Sequence, residues 1–242
     1  MRRIEYLLLE IQGIFYISCI VIIQILFCIY ITDSFIVVLS TSILWNILNL
    51  SFYYVFHYVF ALLTIDIRKQ KGFVLWFTGL PCSGKTTLAD IVYRELKKKG
   101  INCVRLDGDI VRKSICRDLG FSKTDRAENL RRVMYVAKLL SQQNVAVLAS
   151  FVSPYQYMRE MIRENVTNYI EVYIDCDIKE CIKRDVKGMY KKALHGEIEN
   201  FTGISDVYQT PLYPEITVCT DIKSIDECVD KIMNYLKKHN YV

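Results

Sequence analysis

The stretch Gly79-Leu80-Pro81-Cys82-Ser83-Gly84-Lys85-Thr86 follows the apolar run Phe73 to Phe77 and precedes a helix-patterned segment from Thr87 to Lys99. In that setting of strand, turn and helix, the spacing G-x-x-x-x-G-K-[ST] predicts a phosphate-binding loop. Glycines at both ends let backbone N–H groups curl round a phosphate chain, and the N-terminus of the new helix adds a favourable dipole. Lys85 can then reach the β- and γ-phosphates while Thr86 holds Mg²⁺. The reading is an ATP or GTP site, and it leaves the phosphate acceptor open.

Beyond the loop, short apolar runs alternate with amphipathic ones. Strands are expected at Ile101 to Leu106, Val145 to Phe151, Tyr169 to Ile174 and Ile216 to Cys219. Helices are expected at Glu128 to Gln143, Pro154 to Glu164, Ile178 to Asp185 and Ser224 to Lys238. Such alternation predicts an α/β fold over residues 73–242, a P-loop NTPase-type parallel sheet flanked by helices, with ligands at the carboxyl ends of the strands.

The first 65 residues differ in kind. Between Ile11 and Ile65 the only formally charged residue is Asp33. Two apolar runs, about residues 11–31 and 40–63, are long enough for a hydrocarbon core of about 30 Å, with Thr32-Asp33-Ser34 as the tip of a transmembrane helical hairpin. Arg2 and Arg3 precede the first run and Arg68, Lys69 and Lys71 follow the second, so both termini and the region of the phosphate-binding loop are expected in the cytoplasm of an inner-membrane protein. Residues 66–72 read as a basic connector. Within the second run Ser42, Asn46, Asn49, Tyr53 and His57 fall on one helical face, suited to packing inside the hairpin or between subunits.

The net charge of +5 suits anionic nucleotides or nearby anionic lipid. No recognition motif or aromatic-basic array accompanies it, so nucleic acid is not an expected partner. The nine cysteines are scattered, without spacing for structural zinc or a disulfide framework.

A second chemical stretch, Asp107-Gly108-Asp109, comes directly after an expected strand. Two carboxylates beside a triphosphate can hold Mg²⁺ through water or accept a proton from an attacking hydroxyl. Arg112, Phe121, Arg126, Arg131 and Arg132 then follow, with Asp125 as the expected cap of a basic helix. Guanidinium groups near an aromatic ring suit an anionic ligand with a flat base, and the strand ending at Phe151 delivers Val152, Ser153 and Pro154 to the same edge.

The ordered motifs GLPCSGKTTLA (79–89), LDGDIVR (106–112), DLGFSKTDRAENLRR (118–132), SFVSPY (150–155), RDVKGMYKKALHGEI (184–198) and FTGISDVYQTP (201–211) resemble those of the adenylylsulfate kinase family. The resemblance covers almost all of residues 72–240 and leaves the N-terminal hairpin outside. It implies a homodimer that transfers the ATP γ-phosphate to the 3′-hydroxyl of adenosine 5′-phosphosulfate, with ATP and Mg²⁺ as cofactors. It further implies that Gly79, Ser83, Gly84, Lys85, Thr86, Thr87 and Arg184 serve ATP, and that Thr86 and Asp109 serve the metal. Lys85, Asp107, Asp109 and Ser153 would be catalytic by the same resemblance. Arg112, Phe121, Arg126, Asn129, Val152, Ser153, Lys187 and Phe201 would hold the acceptor, with Phe121 and Phe201 sandwiching its adenine. A lid from about Lys183 to Ser205 would close over both ligands, with Gly188, Gly196 and Gly203 as hinges. Gln209 stands where the family commonly has Glu.

Two other functions fit the same residues. One keeps the fold and chemistry with another acceptor, such as a cytidine diphosphoramidate in capsule modification. The other is a membrane scaffold or sensor with a vestigial kinase domain, against which the intact set Lys85, Thr86, Asp107 and Asp109 argues.

Overall fold

The structure, a computed structural model, describes residues 22, 26, 30, 35–65 and 70–242. The chain divides into two compact units, Met1–Arg68 and Lys69–Val242. In the first, helix α1 spans Phe35–Ile65 and so begins five residues before the expected 40. Asn49 donates its Nδ2 to the Trp45 carbonyl at 3.1 Å, and Asn46, Asn49 and Tyr53 are half-buried. Among the described residues no helix is long and apolar enough to cross a membrane, so the expected two-span hairpin is not found. The span expected over 11–31 lies outside the described residues, apart from 22, 26 and 30.

The second unit carries β1 (Phe73–Thr78), α2 (Lys85–Lys98), β2 (Cys103–Asp107), α3 (Gly108–Arg112), α4 (Lys123–Gln142), β3 (Ala146–Ser150) and α5 (Gln156–Asn165). It continues through β4 (Tyr169–Asp175), α6 (Ile178–Arg184), α7 (Met189–Leu194), β5 (Ile216–Cys219) and α8 (Ile225–Lys238). All five strands pair in parallel in the order β2-β3-β1-β4-β5. The sheet therefore has β1 at its centre, with Phe77 opposite Ser150 on one side and Val172 on the other.

Strand periodicity sorts the core into two layers. Phe73, Leu75 and Phe77 face Leu88, Val92 and Leu96 of α2 and Val229, Ile232 and Leu236 of α8. Val74 and Trp76 face Leu130, Val133 and Ala137 of α4 and Met158 and Ile162 of α5. Because both faces of β1 are covered, all six of its residues are buried, which is why it reads as an unbroken apolar run. In a smaller cluster Tyr190, Ala193 and Phe201, from the segment expected as a lid, pack with Cys176 and Cys181.

Local chemistry sets the helix starts. Helix α4 begins at Lys123 and its cap is Ser122, whose Oγ accepts from the Asp125 N–H at 3.1 Å. The expected cap, Asp125, instead accepts the Ser122 hydroxyl at 2.8 Å. Helix α8 starts with a reciprocal capping box between Ser224 and Glu227. The seven cysteines among the described residues are free.

Candidate active site

The loop between β1 and α2 turns on two glycines. Gly79 has φ 151°, and a Cβ there would lie 2.6 Å from the Ile174 carbonyl oxygen and 2.9 Å from Ser83 Oγ. Gly84, at φ 100°, sits immediately before α2. Cys82 between them also adopts a left-handed backbone, φ 58°. The curled loop leaves Ser83 Oγ buried with no hydrogen-bond partner among the described residues, and Thr86 and Thr87 exposed at the helix start. Backbone amides, a hydroxyl with unused capacity and a helix N-terminus together fit a phosphate chain.

Lys85 is buried in this loop. Its Nζ donates to the carbonyls of Gly79 at 3.0 Å and Leu80 at 2.5 Å. Burial pulls its pKa down to about 8, against the smaller opposing pull of nearby thiols and Asp107. Thr86 Oγ1 donates to Asp107 Oδ2 at 3.1 Å, and Asp107 Oδ1 accepts from the Asp109 N–H at 3.0 Å. Asp107 is thus both the end of β2 and the cap of α3, and it ties the phosphate loop to Asp109. An exposed ion pair then joins Asp109 to Lys187 of the lid segment.

Thr86, Asp107 and Asp109 are the residues that fit Mg²⁺. They offer one hydroxyl and two carboxylates in line, a donor set that leaves room for phosphate and water oxygens as that ion requires. Among the described residues there is no group of three or more His, Cys, Asp or Glu side chains that could hold a metal ion.

The cationic stretch assembles around Phe121, which is 59% exposed. The guanidinium of Arg112 lies 4.2 Å from the ring centroid and that of Arg126 6.0 Å. Arg112 donates to the carbonyls of Leu119 at 3.3 Å and Gly120 at 2.8 Å. Arg126 donates to the Phe121 carbonyl at 2.9 Å, to Thr202 Oγ1 at 2.8 Å and to the Asn200 carbonyl. Those partners are all neutral, so two positive charges stay concentrated beside one ring, and burial followed by the nearby Arg126 lowers the pKa of Arg112. Three residues along α4 from Arg126, Asn129 is buried with its Oδ1 unpartnered among the described residues. An unpaired buried acceptor about one helical turn from Arg126 suits a ligand that brings both an anion and hydrogen-bond donors.

Arg126 also places Phe201, since Asn200 and Thr202 flank it. Phe201 itself is 8% exposed and meets Tyr190 edge-on, 5.0 Å between centroids. The two phenylalanines therefore differ: Phe121 offers an open ring, whereas Phe201 is half of a buried aromatic pair. The lid segment is anchored beneath. Tyr190 OH donates to the Pro81 carbonyl at 3.0 Å, and Asp185 caps α7 by accepting from the N–H groups of Tyr190 and Lys191, each at 3.0 Å. Gly188, Gly196 and Gly203 all have positive φ.

Arg184 lies on the far side of the phosphate loop. It donates to the Thr220 carbonyl at 2.7 Å and to Thr220 Oγ1 at 3.3 Å, and that hydroxyl donates to the Ser83 carbonyl at 2.7 Å. Thr220, at the end of β5, was not among the expected site residues; its position at a strand end on the ligand edge of the sheet is the signal that pointed to it.

Val152 and Ser153 follow β3. The Val152 carbonyl accepts from Thr78 Oγ1 at 2.8 Å, and Ser153 Oγ accepts from Trp76 Nε1 at 2.8 Å. Ser153 is buried, with a left-handed φ of 46°. Gln209 accepts from the Gln156 N–H with its Oε1 at 2.7 Å, a role for one carboxamide oxygen that a Glu carboxylate would fill equally well.

The Adenylylsulphate kinase family profile matches residues 71–219, which contain the loop and the carboxylate and arginine clusters just described. The chain belongs to the adenylylsulfate kinase family. It is 56% identical over 165 residues to a probable adenylyl-sulfate kinase of Pseudomonas aeruginosa, covering 68% of this chain and 77% of that one. It is 50% identical over 176 residues to the adenylyl-sulfate kinase of Halothermothrix orenii, covering 73% and 95%. Among solved structures, the Mycobacterium tuberculosis APS kinase CysC in complex with AMPPNP and APS superposes with a TM-score of 0.67 at 42% identity, over 69% of this chain and 98% of that one. As an adenylylsulfate kinase, the chain concentrates its family likeness in the second unit.

Proposed function

We propose that this chain is an ATP-dependent kinase for the 3′-hydroxyl of adenosine 5′-phosphosulfate, giving 3′-phosphoadenosine 5′-phosphosulfate and ADP. The observation that carries the reading is the line from Thr86 through Asp107 and Asp109 to Lys187, which joins the phosphate loop to the lid segment by direct contacts. The likeness to the Mycobacterium tuberculosis kinase, whose complex holds AMPPNP and APS, supports the choice of ligands.

The ATP phosphates lie along the loop amides from Gly79 to Thr87, with Lys85 exchanging its carbonyl partners for phosphate oxygens. Arg184 borders the nucleotide through Thr220. Arg112, Arg126 and Asn129 hold the acceptor's phosphosulfate end and its polar edge, while Phe121 stacks on the adenine and the backbone around Phe201 closes the other side. Val152 and Ser153 border the acceptor from β3. The acceptor 3′-oxygen attacks the γ-phosphorus in line, its proton passes to the Asp109 carboxylate, and the bond from that phosphorus to the β-bridging oxygen breaks. Mg²⁺ held by Thr86, Asp107 and Asp109 supplies charge neutralisation of the phosphates when bound. The protein's part is to juxtapose two anions, offset their charge and exclude water.

A coupled assay with Mg-ATP tests this reading. Turnover of adenosine 5′-phosphosulfate that is lost in Asp109→Asn supports it; silence with that nucleotide beside turnover of a cytidine diphosphoramidate overturns the acceptor. The same reading makes the enzyme a homodimer, which light scattering of the purified chain tests. The apolar N-terminal stretch, whose one formal charge between Ile11 and Ile65 is Asp33, and its flanking arginines and lysines support attachment to the inner membrane with both ends cytoplasmic. Recovery of the full chain in the soluble fraction after cell lysis would rule that attachment out.

A further inference from the structure

Arg159 is a charged side chain inside the second unit, 2% exposed, on α5 and not itself among the residues assigned a role above. Burial of a guanidinium is costly unless each donor is matched, so its partners show what the fold spends it on. Its Nη1 donates to the Ser153 carbonyl at 2.7 Å. Its Nη2 donates to the Gln209 carbonyl at 2.6 Å and to Gln156 Oε1 at 2.8 Å. Its Nε lies 3.0 Å from Glu171 Oε1, a buried carboxylate on β4 that Arg163 also pairs with at 3.1 Å.

The two carbonyls belong to different segments. Ser153 is in the turn after β3, and Gln209 is just beyond the lid. Those segments are fastened to each other as well: the Gln209 N–H donates to the Pro154 carbonyl at 2.8 Å, and Tyr155 OH donates to the Asp206 carboxylate at 2.7 Å. The Ser153 carbonyl is aimed by a left-handed backbone that a non-glycine residue adopts only when its surroundings hold it there. A planar fork that reaches both carbonyls at once supplies that hold, and a lysine cannot reproduce it.

We infer that Arg159 is a positioning residue for the acceptor: its guanidinium locks the Val152–Ser153 turn to the base of the lid, so that the acceptor pocket and the lid keep one spatial register. This rests on the kinase reading above, in which Val152 and Ser153 border the acceptor. The phosphate loop receives no hydrogen bond from Arg159, so the effect falls on one substrate only.

The test uses the full chain with Mg-ATP and adenosine 5′-phosphosulfate. Wild type, Arg159→Lys and the double variant Arg159→Met/Glu171→Met are compared, the double variant removing the buried pair whole so that no charge is stranded. In each folded variant KM for adenosine 5′-phosphosulfate is expected to rise about tenfold or more while KM for ATP stays within about twofold, since small misplacements of a substrate-bordering group carry penalties of that order. A folded variant with KM for the acceptor near wild type, or with both KM values raised together, overturns the inference. Hydrogen exchange on wild type gives a second reading that needs no variant. Adenosine 5′-phosphosulfate should raise protection of residues 152–156 and 206–209 together, and protection of one segment without the other overturns the lock. A wild-type chain inactive on this nucleotide defeats the proposed function instead, and shows in the wild-type arm alone.

Discussion

Lys187 and Asp109, 78 residues apart in sequence, are joined by an ion pair that links the lid segment to the first turn of α3. Both side chains are exposed, so the pair contributes little to folding stability. Under the proposed function its weight falls on the reaction, since Asp109 takes the acceptor proton and Lys187 belongs to the lid that closes over the ligands. Lys187→Ala is expected to leave the thermal midpoint within about a degree or two and to lower kcat by about a hundredfold, the usual scale for losing one charge-stabilising group. Steady-state kinetics beside a thermal melt checks both halves.

The buried Lys85 makes a pH prediction. Its folded pKa is about 8, below the ordinary 10.5, because burial disfavours the ammonium. Between those values the unfolded chain binds more protons than the folded one, so stability rises with pH from about 8 to 10.5, and the penalty is fully present below 8. Urea unfolding across that range should show a rise that Lys85→Met lacks. Phosphate oxygens restore the charged form, so Mg-ATP binding at about pH 8.5 should take up protons, seen by calorimetry in buffers of different ionisation enthalpy.

Phe121 and Phe201 separate binding from folding. Phe121→Ala removes an open ring beside Arg112, so the melt should hardly change while KM for the acceptor rises, base stacking being worth about 1–3 kcal/mol. Phe201→Ala empties part of a buried aromatic pair and should destabilise by about 3–5 kcal/mol. Equal stability losses in the two variants would contradict this division.

Ser153→Ala would leave Trp76 Nε1 buried without its acceptor, at a cost of about 1–3 kcal/mol. The urea midpoint measures the loss, and a change in tryptophan fluorescence assigns it to Trp76.

Much of the second unit was legible because its signals are local. The strand at Ile216 to Cys219 has the same bounds in sequence and structure, and the other strands differ by only one or two residues at their ends. Helix α4 was read five residues short because Ser122 is the cap: its start is polar and lacks the apolar period that marks the rest. The short helices α3 and α7 escaped notice, since one turn carries no periodicity and each is made by a single aspartate, Asp107 or Asp185, that caps it. In the site, Thr86, Asp107 and Asp109 could be placed because motif and strand end coincide. Arg159 could not, because its partner Gln209 lies 50 residues along the chain, and Thr220 offered only its place after a strand end, its partner Ser83 lying 137 residues away. Glu171, a carboxylate within an otherwise buried strand, was the one local sign that a buried cation had to exist somewhere.

The central place of β1 in the sheet bears on how the chain leaves the ribosome. Its strand partners are β3, beginning at Ala146, and β4, beginning at Tyr169, both made long after it. At the usual pace of about 5–20 residues per second, the apolar run Phe73 to Phe77 waits several seconds on the nascent chain before either neighbour exists. The phosphate loop it carries can therefore take its final shape only late in synthesis, and during that interval β1 is an apolar run without its sheet neighbours.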